Sequence, residues 1–416
     1  MTEEEKKPLW LISFYILIMT VGFLTNSWNT PWYLKYLAQL GVAGMGILWL
    51  FVTGDFKNLK CIGKYFAMYM IPFIGMISFS LGIWLVDFQS LNYISRGCSS
   101  VLYHIISLFM VCSAVYLFEE KAIEYTLYSM VSANMLIVLY SLKLYGVSAF
   151  LSGLILFIKT GGIETTPAIK TLEVHDLTFA VGRYILYYLT LETQKKKKLY
   201  LIPVLICYGL GYKRIGVMGA AAAVAFHMLL CRLKEETQKK IISAATVISV
   251  GLCFLYVYII RSEWFNRIVE YFQMDTMGRQ ELYDYFKNIY EFSAKFMGYG
   301  LGHVTRYISI LTEEGVGIFG KHVFGGMHND IVTLYIELGF WGFAFWAWYN
   351  LRFRIKWIME QYGLKIARPL IYGTIYTFVT YATDNTVFYC YINTLFMLLP
   401  MAYALKIRHE EGKMTA

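Results

Sequence analysis

The sequence predicts an all-α polytopic membrane protein, and three observations carry that prediction. First, 58% of the 416 residues are hydrophobic and only 16% are charged, whereas a soluble chain is about 25% charged. Second, apolar runs of roughly 17–22 residues recur about twelve times, and about 20 residues suffice to cross a bilayer. Third, the segments between these runs alternate between many and few cations, as the positive-inside rule requires of a multi-pass protein.

The roughly twelve apolar runs are interpreted as transmembrane helices within one integral membrane domain that covers residues 1–416. The predicted spans are residues 8–25, 36–54, 65–86, 97–118, 125–144, 176–192, 199–211, 215–231, 241–260, 329–350, 369–384 and 386–405. Repetition on this scale excludes a soluble protein with a few buried helices.

The distribution of lysine and arginine orients the chain with both termini in the cytoplasm. The segments that would then face inward hold most of these cations, among them the KKKK run at residues 195–198 and the pair Arg352 and Arg354. The short outer turns hold only Lys35, Arg96, Lys213 and Arg214. The net charge of +9 therefore reflects topology and contact with the headgroups of membrane lipid. No basic stripe indicates nucleic-acid binding, and the expected location is the cytoplasmic membrane of the cell.

The apolar run 199–231 is too long for one helix and has basic flanks on both sides, so we expect it to leave the cytoplasm and return. Its turn, "GYKR", places Tyr212, Lys213 and Arg214 on the outer side. The first arm has about 13 residues, some 20 Å of helix, so Arg214 should lie slightly below the outer headgroups. Two interpretations stay open: a cation that reaches out to water, or an anion site that gives the charge a function.

Two outer loops are long enough to carry structure. The first, residues 145–175, contains the apolar segment "AFLSGLILFIK", which favours a re-entrant or interfacial helix. The second, residues 261–328, lies before the tenth span. It holds two segments with apolar residues on one helical face, "EWFNRIVEYF" and "GRQELYDYFKNIYEFSAKF". The second segment is predicted to be helical as far as Phe296. Loops of this length in a compact protein are usually functional.

The large loop also holds candidate groups for binding and proton transfer. Arg279 opens the second amphipathic helix, where a cation opposes the helix dipole. It either faces solvent or forms an anion site with the helix N-terminus. The glycine turn "GYGLGH" follows, and no strand precedes it that would make it a nucleotide loop. The loop ends in His328, Asn329 and Asp330, directly before the tenth span.

No metal or cofactor is predicted. The seven cysteines show no CxxC or Cys/His spacing, and no outer carboxylate cluster resembles the DxD of metal-dependent transferases. Near the outer end of the sixth span, His175, Asp176 and Arg183 form either an internal ion-pair set or contacts to a sugar. Asp384, in "TDNT", is interpreted as a turn residue.

The segments "MGRQELYDYF", "GYGLGH" and "MHNDIVTLYIELGFWGF" together resemble the signature region of the O-antigen ligase and Wzy-type polysaccharide polymerase family. The shared pattern is an arginine that opens a helix, a GxG turn, and His-Asn before an apolar span with E-x-G-x-x-G. The hairpin "KRIGVMGAAAA" is similar to the family's membrane arginine motif, although Lys213 stands where a serine is common. The resemblance covers about residues 205–345.

What the resemblance implies is a glycosyltransferase on the outer face of the cytoplasmic membrane. The donor would be an oligosaccharide on undecaprenyl pyrophosphate. A polymerase would move the growing glycan to the non-reducing end of another lipid-linked repeat unit of a capsule, exopolysaccharide or O-antigen, with a chain-length regulator and a flippase as partners. An O-antigen ligase would use a different acceptor. Carried over one at a time, Arg214 and Arg279 match the family's two arginines and His328 matches its histidine.

The chemistry of these residue types suits that reaction. Two arginines offer bidentate donors to a pyrophosphate leaving group, and an imidazole can accept the proton of an acceptor hydroxyl. Lys213, Tyr212, Asn329 and Asp330 are expected to support substrate binding. The sequence favours a polymerase. The alternative of another class is a lipid-linked oligosaccharide flippase, but transporters commonly show two related halves, and this sequence has no internal repeat.

Overall fold

The computed structural model describes residues 7–24, 30–273, 276, 278–313, 318–319, 322–323 and 325–414. Within these residues the protein is helical apart from a pair of antiparallel two-residue strands, Ile318–Phe319 (β1) and His322–Val323 (β2). The α-helices are Leu9–Phe23 (α1), Leu34–Thr53 (α2), Leu59–Asp87 (α3), Leu91–Phe118 (α4), Ala122–Lys159 (α5), Pro167–Lys170 (α6), His175–Thr190 (α7), Lys195–Lys198 (α8), Leu201–Gly211 (α9), Arg214–Cys231 (α10), Glu235–Arg261 (α11), Trp264–Tyr271 (α12), Arg279–Phe286 (α13), His303–Glu313 (α14), Asp330–Trp348 (α15), Arg354–Tyr381 (α16) and Cys390–Met414 (α17). A 3-10 turn, Glu119–Lys121, precedes α5, and a π-helical turn, Tyr349–Phe353, joins α15 to α16.

Each predicted span coincides with a helix, and the expectation of a helical multi-pass membrane protein is confirmed. In the described part of the chain, seven helical stretches are long and apolar enough to cross a membrane. They are Leu34–Thr53, Leu59–Asp87, Leu91–Lys159, Arg214–Cys231, Glu235–Arg261, Asp330–Tyr381 and Cys390–Gly412. Two of these stretches contain two helices each, α4 with α5 and α15 with α16. Because α1, α7 and α9 have only 15, 16 and 11 residues, the count of twelve spans stays a prediction, as does the orientation of the termini.

Helix α17 is the centre of the bundle. Its apolar stretch is completely buried, and it packs against α4, α7 and α16. Helices at the periphery expose large apolar side chains, for example Phe51 on α2 and Leu85 on α3. A soluble protein rarely exposes such side chains in large contiguous patches, so these surfaces fit contact with lipid tails.

Three helices break at glycines with positive φ: Gly146 in α5, Gly339 in α15 and Gly363 in α16. The apolar segment expected to form a separate helix in the first long loop is the second half of α5, after the Gly146 break. At Gly339 the break also serves a close approach, because a Cβ there would lie 2.2 Å from the carbonyl of Met297. Only glycine fits both that φ and that contact.

The cytoplasmic segment expected between the tenth and eleventh spans is not a loop. Helix continues from Phe340, through the π turn, to the break at Gly363. Arg354 is therefore not an exposed loop cation, because it lies in a helix and is only 4% exposed, while the side of the membrane on which it lies stays a prediction. Its guanidinium stacks on the rings of Tyr69 and Phe396 inside the bundle, and charge counting along a sequence cannot distinguish such a residue from a loop cation.

In the large outer loop, α12 forms as predicted, but the second amphipathic helix, α13, ends at Phe286. Beyond it, backbone carbonyls accept hydrogen bonds from distant side chains and not from the next helical turn. Tyr299 Oη donates to the carbonyl of Ile289 (2.7 Å), and Arg261 Nε donates to that of Tyr290 (2.9 Å). The apolar side chains still pack inward, so the amphipathic pattern continues past the end of the helix.

Candidate active site

Two of the motif segments dock on each other at the N-terminal end of α15. The "GYGLG" turn runs beside the first part of this helix, where Gly300 N–H donates to the carbonyl of Glu337 (2.7 Å). The buried carboxylate of Glu337 accepts the N–H of Val304 at 3.0 Å. Since α15 breaks two residues later at Gly339, these contacts fix a short helical segment that begins directly after His328.

His328 is held from three sides. Its φ of 50° lies in the left-handed region, which is uncommon for a residue other than glycine. The backbone N–H of His328 donates to Asn385 Oδ1 (2.7 Å), and Tyr283 Oη donates to the His328 carbonyl (3.3 Å). The imidazole Nδ1 lies 3.5 Å from Asp384 Oδ1, and the side chain is 26% exposed. The backbone is therefore fixed while one edge of the ring stays accessible.

Asp384 is the carboxylate that faces this histidine, and it is almost buried. Burial by itself would raise the pKa of its carboxyl, but the attraction to the His328 imidazole and the hydrogen bond from the Asn385 N–H (2.8 Å) outweigh that effect and lower the pKa. Asp384 is thus an anion at neutral pH that can orient and stabilise the imidazole.

The two residues after His328 are occupied with the fold. Asn329 is fully buried and caps α15, since its Oδ1 accepts the N–H of Val332 (3.1 Å) and its Nδ2 donates to Tyr256 Oη (3.1 Å). Asp330 is also buried, and its Oδ2 accepts the N–H of Val387 (2.7 Å). Neither side chain is placed to touch a substrate directly, but both hold His328 at the end of α15.

Arg279 begins α13, as the sequence predicts, directly after Gly278, which has a φ of 79°. It is half-buried, and among the described residues its guanidinium has no hydrogen-bond or ion-pair partner. Burial raises the pKa of Tyr283 to about 12, and the nearby positive charge of Arg279 counteracts that rise. Because Tyr283 also donates to the His328 carbonyl, Arg279 lies one residue away from the histidine.

Lys213 lies in a cluster with Glu173 and His175. Its Nζ donates to Glu173 Oε1 and lies 3.0 Å from His175 Nε2. Burial alone would raise the pKa of the Glu173 carboxyl, but hydrogen bonds from His175 and Lys213 outweigh it and lower the pKa to about 2. The charge of Lys213 is therefore compensated by a carboxylate of the first long loop.

The next residue, Arg214, is different. It opens α10 and is exposed, and it has neither a carboxylate nor a carbonyl partner within the part of the chain that the structure describes. Tyr212 precedes the pair with its ring packed against Phe157, 5.8 Å between centroids. At the hairpin tip, the charge of Lys213 is therefore compensated by a carboxylate, whereas the exposed Arg214 could bind an anion.

These two groups of residues are adjacent. The His175 imidazole is near enough to Asp384 to contribute to the lowered pKa of that carboxyl. Lys213 contacts His175 on one side, and His328 contacts Asp384 on the other. A chain of contacts and electrostatic interactions therefore connects the Lys213–Arg214 hairpin tip to His328, although 115 positions separate Lys213 from His328 in the sequence.

Asp176 and Arg183 do not join this group. Asp176 is buried and accepts the N–H groups of Tyr391 (2.9 Å) and Ile392 (3.0 Å), so it caps the start of α17. Arg183 lies deep in α7, only 2% exposed, and donates to the carbonyl of Gly373 (3.2 Å). Of the three residues expected together at the sixth span, His175 alone faces the outer cluster.

Within the described residues, the group whose ligand atoms lie close enough for a metal ion is Glu119, Glu120 and His409. Glu119 and Glu120 lie just before α5, and His409 lies in the C-terminal part of α17. The N-terminal end of α17, where Asp176 lies near the His328 cluster, is the opposite end. These residues therefore do not bear on the chemistry near His328.

Residues 199–347 match the family model described as O-antigen ligase. Residues 199–347, about a third of the chain, are named the O-antigen ligase domain after this match. The recognition of the O-antigen ligase and Wzy-type family is thereby confirmed, and with it a polysaccharide-related ligase or polymerase class that uses lipid-linked glycans. The O-antigen ligase domain runs from before α9 to the end of α15 and contains Lys213, Arg214, Arg279 and His328. No curated protein matches the chain significantly.

Several residues that contact the motif residues were not found by sequence reasoning. Asp384 lies outside the O-antigen ligase domain, in a turn that sequence alone marks only as "TDNT", and Glu173 lies in a loop of the other half. Neither residue has a recognisable sequence spacing to its partner, because each pair is brought together only by the packing of helices that are distant in the chain. A lone carboxylate at the outer end of a span was the one available signal.

Proposed function

We propose that the protein is a polymerase of lipid-linked oligosaccharide repeat units on the outer face of the cytoplasmic membrane. It would transfer the growing glycan from undecaprenyl pyrophosphate to the non-reducing end of another lipid-linked repeat unit. The observation that carries the proposal is the accessible His328 beside Asp384, together with Arg214 and Arg279, which have no acidic partners among the described residues. The membership of residues 199–347 in the O-antigen ligase family supports it.

The two arginines would bind the pyrophosphate of the donor. Arg214 and Arg279 each begin a helix, where backbone N–H groups add to the positive potential. A planar guanidinium can donate two parallel hydrogen bonds to a phosphate group. As the bond between the anomeric carbon and the pyrophosphate oxygen breaks, negative charge grows on that oxygen, and fixed cations lower the barrier.

His328 would accept the proton of the attacking hydroxyl. With Nδ1 toward Asp384, the neutral ring would carry its hydrogen on Nδ1, which makes Nε2 the nitrogen that accepts a proton. The acceptor oxygen then forms a bond to the anomeric carbon, its proton moves to Nε2, and undecaprenyl pyrophosphate leaves. Asp384 is a positioning residue that stabilises the resulting imidazolium.

The remaining candidates have supporting roles in this proposal. Lys213, held by Glu173, shapes the hairpin and adds positive potential beside Arg214. Tyr212 and His175 border the same surface and are available to a sugar. No step requires a metal ion, because the arginines supply the charge that a metal would otherwise supply in phosphate chemistry. A chain-length regulator and a flippase are the expected partners of such a polymerase.

The deciding experiment is disruption of the gene, followed by analysis of the lipid-linked glycans. A polymerase predicts that single repeat units accumulate on the lipid at the outer face and that polymer is lost. A ligase predicts that full-length polymer accumulates on the lipid. A flippase predicts single repeat units that an impermeant glycosidase cannot reach from outside. Either of the last two outcomes would replace the proposed reaction with that alternative.

A further inference from the structure

A second feature of the molecule lies inside the bundle, away from the His328 cluster. A cavity of about 60 Å³ separates α3, α16 and α17. Its polar lining includes Asn350, Arg354, Thr374 and Thr377, and aromatic rings such as that of Phe396 form much of the remaining wall. This volume has room for about four water molecules.

Arg354 lies well inside a helix that is long enough to cross a membrane. The continuous helix between the breaks at Gly339 and Gly363 has a length of roughly 34 Å, close to the thickness of a bilayer core. Arg354 lies roughly 22 Å from its outer end and 12 Å from the other end. Arg183 occupies the middle of α7 and is likewise buried. Charged residues at such depth are rare and usually functional.

The two arginines stand close together with little compensation from the protein. The Cζ atoms of Arg183 and Arg354 each lie 4.7 Å from the centroid of the Phe396 ring, so their separation cannot exceed the sum of those distances. Among the described residues neither guanidinium pairs with a carboxylate. Two cations therefore share one aromatic ring within the apolar bundle.

The hydrogen bonds of these side chains are also incomplete. Arg183 donates to the Gly373 carbonyl (3.2 Å) and to Thr377 Oγ1 (2.6 Å), and Arg354 makes one long bond to the Asn350 carbonyl (3.5 Å). The two guanidiniums have ten N–H donors in total. In both residues the buried Nε has no acceptor within the described chain. Stacking on aromatic rings compensates for only part of the desolvation free energy of a buried charge.

We propose that this cavity is an intramembrane binding site for one small inorganic anion, such as phosphate or chloride. The anion would accept hydrogen bonds from Arg354, which lines the cavity, and would lie within the electrostatic reach of Arg183, which contacts the cavity wall through Thr377. The cavity is too small for a lipid-linked sugar, so its ligand is not the glycan substrate. Neutralisation of the two charges would fasten α7 and α16 to α17.

The test is thermal unfolding of the purified full-length protein in detergent. Phosphate or chloride is exchanged for gluconate, a bulky anion, at constant ionic strength. The unfolding temperature of the wild type should rise with the concentration of the small anion and then level off, as expected for a saturable ligand that binds only the folded state. Arg354→Gln and Arg183→Gln should each weaken the apparent affinity at least tenfold. The matched control is Arg352→Gln, since Arg352 donates to the Ser243 carbonyl (3.0 Å) and should leave the affinity unchanged.

A direct measurement keeps the proposal testable if the variants fail to fold. Crystals of the wild type grown in bromide should show anomalous density in the cavity beside Arg354. An unsaturable response in the wild type, equal responses in wild type and Arg354→Gln, or a cavity without bromide density would each overturn the proposal. The purified protein can also be extracted with organic solvent and its phosphorus measured. If bound phosphorus is removed only by this extraction, the ligand is a lipid phosphate, and the proposal of a small inorganic anion is refuted.

Discussion

The contact between His328 and Asp384 allows a quantitative prediction of how a substitution of Asp384 changes turnover. Asp384→Asn keeps the size of the side chain and removes its charge. The variant retains Arg214 and Arg279, which are proposed to bind the donor, and the backbone contacts of His328 to Asn385 and Tyr283. If Asp384 stabilises the imidazolium that forms during transfer, the variant should bind donor normally and turn over more slowly.

The size of the effect follows from the geometry. Two unit charges about 4 Å apart attract each other by about 4 kcal/mol at an effective dielectric constant of about 20. The observed distance is 3.5 Å, and the His328 side chain is 26% exposed, so water screens part of the attraction. Taking about half, near 2 kcal/mol, turnover should fall about 30-fold.

The assay is single-turnover transfer between purified lipid-linked repeat units, with kcat and the KM for donor measured separately. The control is Glu313→Gln, which breaks a surface ion pair with Arg306 (3.0 Å) and should leave turnover unchanged, because such pairs contribute little. Wild-type turnover in Asp384→Asn would refute the role of the carboxylate. A rise in KM with unchanged kcat would assign Asp384 to donor binding.

Three further predictions concern charge and topology. Arg214→Ala and Arg279→Ala should each reduce polymer about 100- to 1,000-fold at normal protein levels, with partial rescue by lysine; full polymer from either alanine variant would remove that arginine from the site. The folded pKa of Glu173, about 2, lies below the unfolded value of about 4.3. Its pairing therefore stabilises the protein above about pH 4.3 and is lost as pH falls toward 2, so wild type and Glu173→Gln should differ in unfolding temperature at pH 6 and converge near pH 2. A single cysteine at position 214, 279 or 328 in a cysteine-free background should react with an impermeant maleimide from outside; protection of all three would invert the orientation.

The helical architecture was accessible from sequence because apolar runs and charge bias report directly on burial in lipid. The motif residues were accessible because Arg279, "GYGLGH" and His328 stand in a recognisable order. The structure supplies the reason for that order. The glycine turn docks on Glu337 and Gly339. The sequence spacing between this turn and His328 therefore reflects a contact between two backbone segments, and that contact determines where His328 lies.

Contacts between distant segments could not be predicted. Asp384 reaches His328 only because α16 and α17 meet at the outer end of the bundle, and Glu173 reaches Lys213 only through the packing of α7 beside α9. Arg354 differs from the expectation of an exposed loop cation. A cation near other cations suggests a cytoplasmic loop, yet aromatic stacking on Tyr69 and Phe396 holds it inside the membrane domain.

The most direct test of the central claim is polymerisation by the purified protein alone. Lipid-linked repeat units extracted from cells that lack the gene are supplied as both donor and acceptor in liposomes, with EDTA present. The proposed reaction predicts a ladder of glycans with the wild type and a rate lower by roughly 10²–10⁴ with His328→Ala. Two results would contradict the proposed reaction. One is an undiminished ladder of glycans from His328→Ala. The other is that the wild type transports the repeat units across the bilayer but leaves them as single units.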